Sequence, residues 1–281
     1  MGVHAILAGL EVGDGHPVRL VGAINVSPES FYQGSVAAGE AALRAKAEQM
    51  ATEGADLLDV GAMSTAPYLS TEITEEEELR RLTWAIGIVR KTVPVPISAD
   101  TKRGRVALAA LDAGADIIND VDGLRCDPGM VGVVAQRAPG VILMASQGDA
   151  NARDPIETVQ GLLKESLQLI RKAGLPDHRA VLDPGIGFFR QAAIPWHVWD
   201  CEVLRRLVEL RTLGCPLLVG VSRKSFIGKI VGRTDPRDRL PGSLAATAIA
   251  VANGVHLIRT HDVGPTREAV RVAEALRPRG A

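Results

Sequence analysis

Polar side chains follow apolar runs at several places along the chain. Asp100 ends the segment VPISAD, Asn119 lies in ADIIND, and Asp183 lies in AVLDPG. A carboxylate, an amide and a second carboxylate can pair with the adjacent N–H donors and the acceptor on the edge of an aminopyrimidinone ring. Buried polar groups must be paired, so a ligand with a matching edge would complete this set. A structural network or a metal site is the alternative, although a metal site favours tighter clustering of carboxylates or histidines.

A second set of side chains is cationic. Arg223 and Lys224 follow the apolar run PLLVGV, and Arg259 and His261 lie at the end of VHLIRTHD. Lysine supplies a point charge and arginine a forked pair of donors, and both suit phosphate oxygens. Solvated surface cations, which contribute little to stability, are the alternative. We expect the cationic set to hold a phosphate group.

Short apolar runs recur along the chain, and each is continuous, as expected for strands that are covered on both faces. They span 19–25, 56–61, 95–100, 115–120, 140–145, 180–185, 216–221 and 255–260. Segments with helical periodicity lie between them, as at 37–54, 75–92 and 155–174. This alternation predicts an α/β fold, a (β/α)8 TIM barrel. An open doubly wound sheet is the alternative, but the Gly-rich turn that often marks it is absent from the sequence.

No linker divides the chain, so we expect one domain over residues 1–281. Residues 1–18 are expected to form a short N-terminal β-hairpin with its turn at 13–15. In a barrel, the C-terminal ends of the strands form the face that carries the active site. Capping of the next helix could explain a polar residue at any single strand end. It does not explain an arginine or a lysine in the middle of a loop. The two polar sets are therefore expected to meet in one site.

The composition excludes some partners. The 32 Lys and Arg residues nearly balance 33 Asp and Glu residues, so no global positive field attracts nucleic acid or an anionic membrane. The three cysteines form no C-x-x-C pair, which favours a reducing compartment over a disulfide framework and gives no zinc signature. We find neither a secretory signal nor a membrane span, so a cytoplasmic location is expected.

Several of these segments resemble the motifs of one known family. GAINVSPESF, DVGAMST, SADT, GADIINDV, VLDPGIGF, LVGVSRKSFIG and IRTHDV are similar, in order and spacing, to the motifs of dihydropteroate synthases. The resemblance covers nearly the whole chain. It implies that 6-hydroxymethyl-7,8-dihydropterin diphosphate condenses with p-aminobenzoate, or a related arylamine, and releases diphosphate, as in folate biosynthesis. It also implies Mg2+ on the diphosphate and, because family members are commonly dimers, a homodimer.

The resemblance assigns roles to residues. Asp100, Lys224 and Asn25 would be catalytic, with Asp100 stabilising the cation that develops on the pterin. The residues expected to bind the pterin are Asp100, Asn119, Asp183, Lys224 and Met144, the last of which could equally be a core methionine. The residues expected at the diphosphate are Asn25, Arg259, His261 and Thr65, with Asn25 also at the metal. Those expected to face the arylamine are Arg223, Ser225 and either Phe188 or Phe189.

The sequence departs from the family pattern in its loops. Ala66 replaces an arginine, Glu29 and Gln33 replace two aspartates, Ala145 replaces a histidine, and Arg190 ends a segment that usually reads G-F-G-K. None of these positions belongs to the set expected to read the pterin. A paralogue in a methanopterin-type pathway, using a substituted arylamine, is therefore one alternative.

Two further alternatives concern the activity itself. A pterin-binding methyltransferase acting with a corrinoid partner is disfavoured by Asn25 and the cations of 222–225, because methyl transfer has no diphosphate to hold. A pterin-binding protein without catalysis is supported by the loop departures alone.

Overall fold

A computed structural model of the chain describes residues 2–27, 39–63, 73–138, 140–146 and 151–277. Two strands, β1 (His4–Leu7) and β2 (Leu10–Gly13), pair in an antiparallel hairpin. The next strands are β3 (Arg19–Asn25), β4 (Leu57–Gly61), β5 (Ile97–Asp100), β6 (Ile117–Asp120), β7 (Gly140–Met144), β8 (Ala180–Asp183), β9 (Leu218–Gly220) and β10 (Leu257–Thr260). The predicted barrel strands are all present, and each is shortened by at most two residues at either end.

The strands β3 to β10 form one parallel sheet in the order β8-β7-β6-β5-β4-β3-β10-β9. A parallel bridge between Leu182 and Leu217 joins the two outer strands, and Leu182 N donates to Pro216 O at 2.9 Å. The sheet therefore closes on itself, which confirms the predicted barrel.

Helices cover the outside of the barrel. They are α1 (Glu40–Glu53), α2 (Glu75–Thr92), α3 (Gly104–Asp112), α4 (Pro128–Arg137), α5 (Pro155–Lys172), α6 (Trp196–Arg205), α7 (Leu207–Leu210), α8 (Ser225–Val231), α9 (Leu240–Ala252) and α10 (Val263–Leu276). Local sequence explains several of their ends. Asp154 accepts from the N–H groups of Ile156 and Glu157 to cap α5, and Gly54 ends α1 in the left-handed conformation. Within the described ranges, no helix is both long and apolar enough to cross a bilayer.

The barrel interior is apolar at its N-terminal end and polar above it. Successive residues of a strand point to opposite faces, and one inward layer consists of Val21, Leu57, Ile117, Ile142, Val181, Leu218 and Leu257. The hairpin residues Ala5, Leu7 and Val12 pack against this layer and are fully buried. The hairpin and this layer together form an apolar floor, and inward side chains two residues further along each strand lie above the floor.

The hairpin is present as expected, but its predicted turn at 13–15 was wrong. Leu7 pairs with Leu10, so the turn consists of Ala8 and Gly9, whose φ angles are 49° and 86°. Two positive φ angles are typical of the two-residue turns that match strand twist. Asp14 instead accepts from Val3 N at 2.9 Å and binds Arg211, which fixes the chain as it leaves the hairpin. The Gly-Asp-Gly segment does form a turn, in which His16 N donates to Gly13 O at 3.2 Å, but this turn follows β2 and does not join the two strands of the hairpin.

The floor predicts a large effect of truncating Leu7. Leu7→Ala removes a fully buried side chain between the hairpin and the barrel, and we expect a loss of about 2 to 5 kcal/mol in the free energy of unfolding. Ile6 precedes it on the outward face and is 38% exposed, so Ile6→Ala is the matched control, with an expected loss below about 1 kcal/mol. Urea unfolding of both variants measures this. Equal losses would show that the hairpin is not seated on the floor.

Candidate active site

The polar layer above the floor contains side chains from five strands. Asp59, Asn119, Asp183 and Arg259 each lie two residues beyond a floor residue on β4, β6, β8 and β10, and Asp100 ends β5. The four polar side chains other than Arg259 are all less than a tenth exposed. The structure thus brings together Asp100, Asn119 and Asp183, the residues expected from the sequence to pair with the edge of a heterocycle. It adds Asp59 to them.

Asp59 holds this layer together. Its carboxylate is fully buried and accepts from Arg259 Nε at 2.6 Å, from Ser98 Oγ at 2.5 Å and from Asn119 Nδ2 at 3.2 Å. Because Asp59 binds the amide nitrogen of Asn119, the amide oxygen of Asn119 points away from Asp59 and can accept from a ligand. The sequence interpretation did not assign a role to Asp59. The available signal was a carboxylate inside the otherwise apolar, fully buried strand LLDVG.

Asp100 carries an unsatisfied acceptor. Its Oδ2 accepts from Arg259 Nη2 at 3.2 Å, whereas its buried Oδ1 has no hydrogen-bond partner within the described part of the chain. Burial, together with the charge of Asp59, raises the pKa of Asp100 to about 8 although Arg259 opposes the shift. A buried carboxylate oxygen without a partner costs free energy, so this atom is suited to a ligand N–H.

Asp183 and Lys224 interact electrostatically with each other in the same pocket. Burial raises the pKa of Asp183, opposed by the charge of Lys224 and by the N–H of Gly185, which donates to Oδ1 at 2.8 Å. Burial also lowers the pKa of Lys224 to about 8, although Asp183 and Asp200 favour the charged form. The ammonium donates to the carbonyl of Ile186 and lies 5.1 Å from the centre of the Phe188 ring.

The two neighbouring cations after β9 point to different surroundings. Arg223 has a φ of 55° and is 5% exposed. Its Nε and Nη2 form a fork on Asp262 at 2.8 Å each, and Nη1 donates to the carbonyls of Pro236 and Arg237. These contacts tie the loop before α8 to the loop before α10. The arylamine contact expected of Arg223 stays a prediction, and the geometry gives this side chain a structural role.

The segment after β8 is held by α6. Phe189 is 4% exposed and stacks on Trp199 with ring centres 4.8 Å apart, so it belongs to the core. Phe188, by contrast, lies beside Lys224. Arg190 lies 4.0 Å over the Trp196 ring and donates through Nη2 to Ser225 Oγ at 2.5 Å. Of the two phenylalanines expected near the arylamine, the geometry favours Phe188.

The residues expected at the diphosphate lie at the ends of β3 and β10. Asn25 is half-buried, and its Oδ1 accepts from Ser27 N at 2.8 Å. Burial and the charges of Arg259 and Arg223 lower the pKa of His261 to about 3, so the imidazole is neutral at pH 7. Its Nδ1 lies 2.9 Å from Ser222 Oγ.

The remaining expectations divide into described and undescribed residues. Met144 ends β7 inside the barrel and is 4% exposed. Ala145 is fully buried, and its N–H donates to the carbonyl of Asp183 at 2.9 Å. Thr65, Ala66, Glu29 and Gln33 lie outside the described residues.

Asp200 is a second site-related residue that the sequence interpretation missed. It lies on α6, is 1% exposed, and accepts from Gly187 N at 2.8 Å through Oδ1. Burial raises its pKa to about 6, opposed by that N–H and by Lys224 and Arg190. Because Ile186, next to Gly187, accepts from Lys224, Asp200 fixes the backbone that positions the ammonium.

Comparison with known proteins identifies the class to which this barrel and pocket belong. The pterin-binding enzyme family matches residues 21–261, a range that includes all five residues of the polar layer. The dihydropteroate synthase of Synechocystis is 37% identical over 269 residues, which cover 93% of this chain and 91% of the relative. That of Escherichia coli strain K12 is 36% identical and covers 92% of both chains.

Solved structures agree with these relatives. The Xanthomonas albilineans dihydropteroate synthase with 4-aminobenzoic acid superposes with a TM-score of 0.86 at 37% identity, over 98% of each chain. The Coxiella burnetii enzyme in complex with pteroic acid has a TM-score of 0.85 at 36% identity, over 97% of this chain and 98% of that one. The chain belongs to the dihydropteroate synthase family, which confirms the resemblance found in its motifs.

The role of Asp200 predicts different effects of two substitutions. Asp200→Ala removes the acceptor of the Gly187 N–H, so Lys224 loses its fixed position, and we expect kcat/KM for dihydropteroate synthesis to fall about ten- to hundredfold. Asp200→Asn keeps an acceptor and removes the charge near Lys224, so we expect a smaller loss and a basic limb of the pH profile shifted to lower pH.

The control for this pair is Glu209→Ala, an exposed carboxylate on α7. Steady-state rates of the three variants over a range of pH make the comparison. If Asp200→Asn and Asp200→Ala fall equally with unshifted profiles, Asp200 does not act through Lys224.

Proposed function

We propose that this chain is a dihydropteroate synthase, a transferase that joins 6-hydroxymethyl-7,8-dihydropterin diphosphate to p-aminobenzoate and releases diphosphate. The observation that carries the proposal is the buried Oδ1 of Asp100, which has no partner within the described residues and lies in the same pocket as Asn119, Asp183 and Lys224. The relatives named above and a Xanthomonas albilineans structure in complex with 7,8-dihydropteroate support it. Folate biosynthesis is the corresponding pathway.

The pterin ring would lie in the polar layer. Asp100 and Asp183 supply carboxylate acceptors for ring N–H groups, and the amide oxygen of Asn119 supplies another. Met144, buried at the end of β7, offers an apolar surface to the ring. Since Asp59 fixes both Asn119 and Arg259, the acceptors are oriented before the ligand arrives.

The chemical step places positive charge on the pterin. The C–O bond breaks with its electron pair leaving on the diphosphate, the arylamine nitrogen bonds to the exocyclic carbon, and the nitrogen loses a proton to solvent. Once Asp100 accepts ring N–H groups it is ionised, and its fixed negative charge stabilises the cation that develops nearby. Lys224 has the opposite role, because its ammonium attracts the departing diphosphate.

The diphosphate end would be bound by Asn25, Arg259, His261 and Thr65. Arg259 uses Nε and Nη2 for Asp59 and Asp100, and we assign its remaining amino group to the phosphate. His261 is neutral and sits against Ser222, so it would act as a hydrogen-bonding group and not as a cation.

Mg2+ is the cofactor that we propose. The ion prefers oxygen ligands and usually keeps several waters while binding substrate phosphates. Asn25 Oδ1 fits this requirement, because within the described residues it accepts one hydrogen bond, from Ser27, and a carbonyl oxygen has two lone pairs. When bound, Mg2+ would neutralise charge on the leaving diphosphate, and Asn25 would hold it at the end of β3.

The arylamine would approach between Phe188, Lys224 and Ser225. Arg190 reaches the Ser225 hydroxyl while it packs on Trp196. A guanidinium fixed at this place is suited to a carboxylate, so we assign Arg190 and Ser225 to the carboxylate of p-aminobenzoate. The altered-arylamine alternative stays a prediction that depends on the loop departures.

The homodimer expected from the family also stays a prediction, as does the cytoplasmic location. Exposed apolar side chains on the last two helices would provide the surface for a second copy. They include Ile249, Val272 and Leu276, which are 56%, 60% and 78% exposed.

The proposed activity is tested directly by diphosphate release and dihydropteroate formation. We expect purified protein to form both products from the pterin diphosphate and p-aminobenzoate with Mg2+. Lys224→Ala should abolish turnover with the fold intact, because it removes the ammonium that we place at the reacting carbon. The exposed neighbour Lys229 provides the control Lys229→Ala. Pterin binding without release of diphosphate would favour a non-catalytic pterin-binding protein, and methyl transfer to a corrinoid partner would replace the proposal.

Arg190→Ala tests the second substrate separately. We expect the KM for p-aminobenzoate to rise about tenfold or more, because a charge-assisted hydrogen bond is lost, while the KM for the pterin diphosphate is unchanged. A 4-substituted aniline without a carboxylate should be used equally by the variant and the original protein. The exposed Arg205 gives the control Arg205→Ala.

The same assays test the altered-arylamine alternative. If the original protein prefers bulkier anilines over p-aminobenzoate, that alternative holds.

The raised pKa of Asp100 predicts how pterin binding depends on pH. In the free protein the pKa is about 8, and the ring N–H donors favour the ionised carboxylate, so binding must remove a proton below that pH. Affinity for a pterin without diphosphate should therefore increase as the pH rises towards about 8 and then level off. Titration calorimetry measures this. Asp100→Asn should bind more weakly and lose the dependence, and a dependence retained by this variant would contradict the assignment.

A further inference from the structure

A group of potential metal ligands lies on the N-terminal hairpin, at the end of the barrel opposite the pterin pocket. It consists of His4, Glu11 and His16, each of which offers one ligand atom, and these atoms lie within 4.8 Å of one another. No other set of three His, Cys, Asp or Glu side chains in the described ranges comes together in this way. The site has no part in the reaction proposed above.

Strand pairing brings two of these residues together. Ile6 is opposite Glu11 and His4 is opposite Gly13, so His4 and Glu11 are diagonal neighbours on the outward face of the hairpin. Both side chains are exposed, while the alternate residues Ala5 and Leu7 face the floor. The alternation of side chains along the two strands thus places the apolar residues on the floor side and the potential metal ligands on the outward side.

The third residue arrives through the turn that follows β2. His16 N donates to Gly13 O at 3.2 Å, and this turn returns the chain over the outward face. The His4 and His16 rings are 5.6 Å apart between centres, and His16 Nε2 lies 3.3 Å from Glu11 Oε2. Asp14 anchors the turn by accepting from Val3 N at 2.9 Å and by pairing with Arg211. The arrangement is therefore held by backbone and ion-pair contacts that do not require an ion.

We propose that His4, Glu11 and His16 form a binding site for a divalent transition-metal ion, with Zn2+ as the best match. Two imidazoles and one carboxylate form a common three-residue zinc ligand set, with water in the fourth position. A tetrahedral ion with bonds of about 2.0 to 2.1 Å separates its ligand atoms by about 3.3 Å, which is the distance already found between His16 and Glu11. Mg2+ and Ca2+ are poor matches because they prefer oxygen ligands.

The nearby cation does not oppose this site strongly. Arg19 donates from Nε to the carbonyl of Glu11, but its guanidinium also pairs with Asp56 at 3.3 Å, which balances its charge. A bound ion would connect β1, β2 and the segment that leads into β3. Its expected effect is to stabilise the hairpin on the floor, since an ion that binds only the folded state raises its stability.

Titration of the full chain with Zn2+ after chelator treatment tests the proposal. Calorimetry in a non-coordinating buffer should show one equivalent bound at the hairpin, and His4→Asn, Glu11→Gln and His16→Asn should each weaken that binding by roughly tenfold or more. Zn2+ should raise the melting temperature of the original protein and leave that of His16→Asn unchanged. Mg2+ in place of Zn2+ should give neither effect at the hairpin.

The matched control is His178→Asn. His178 is exposed and lies at the same end of the barrel outside the group, so this variant should bind Zn2+ as the original protein does. Absence of Zn2+ binding in the original protein would overturn the proposal. Affinity in the three ligand variants equal to that of the original protein would also overturn it, because the ion would then be bound elsewhere.

Discussion

The contact between Asp59 and Arg259 is the interaction on which the pocket depends. A buried charge is costly unless it is paired and hydrogen-bonded, and Asp59 is fully buried whereas Arg259 is half-buried. Arg259 satisfies this condition by binding Asp59 at 2.6 Å and Asp100 at 3.2 Å, and Asp59 by also accepting from Ser98 and Asn119. The pair and its partners therefore connect four strands, β4, β5, β6 and β10. Within the described residues they leave one oxygen of Asp100 without a partner, and this oxygen is the acceptor that we assign to the pterin.

Much of the architecture could be predicted because continuous apolar runs, interrupted by helical segments, identify a covered parallel sheet. The grouping of the strand-end residues Asp100, Asn119 and Asp183 could also be predicted, since a barrel brings the ends of its strands together. The role of Asp59 could not be predicted, because its partner Arg259 lies 200 residues away in the sequence. Asp200 gave still less signal, as a polar position in a helix is usually exposed.

Adjacent residues of the same charge show another limit of sequence reasoning. Arg223 and Lys224 look equivalent in the sequence, yet the positive φ of Arg223 sends the two side chains in different directions. Lys224 reaches the Ile186 carbonyl, and Arg223 reaches Asp262. Local pattern could indicate that a cation was needed after β9, but only the backbone conformation determines which one enters the pocket. The same applies to Phe188 and Phe189, which α6 separates through the stacking of Phe189 on Trp199.

The apolar floor has a consequence for the order of events in the pocket. Leu7 and its neighbours close the barrel at one end, so both substrates must enter, and the product must leave, through the opposite mouth. The side chains assigned to the pterin lie directly above the floor, and those assigned to the arylamine lie further out, around Phe188 and Ser225. An arylamine already in place would stand in the path of the pterin. With the substrates placed as we propose, the closed end would impose an order of binding, pterin before arylamine, on a reaction whose chemistry alone does not require one.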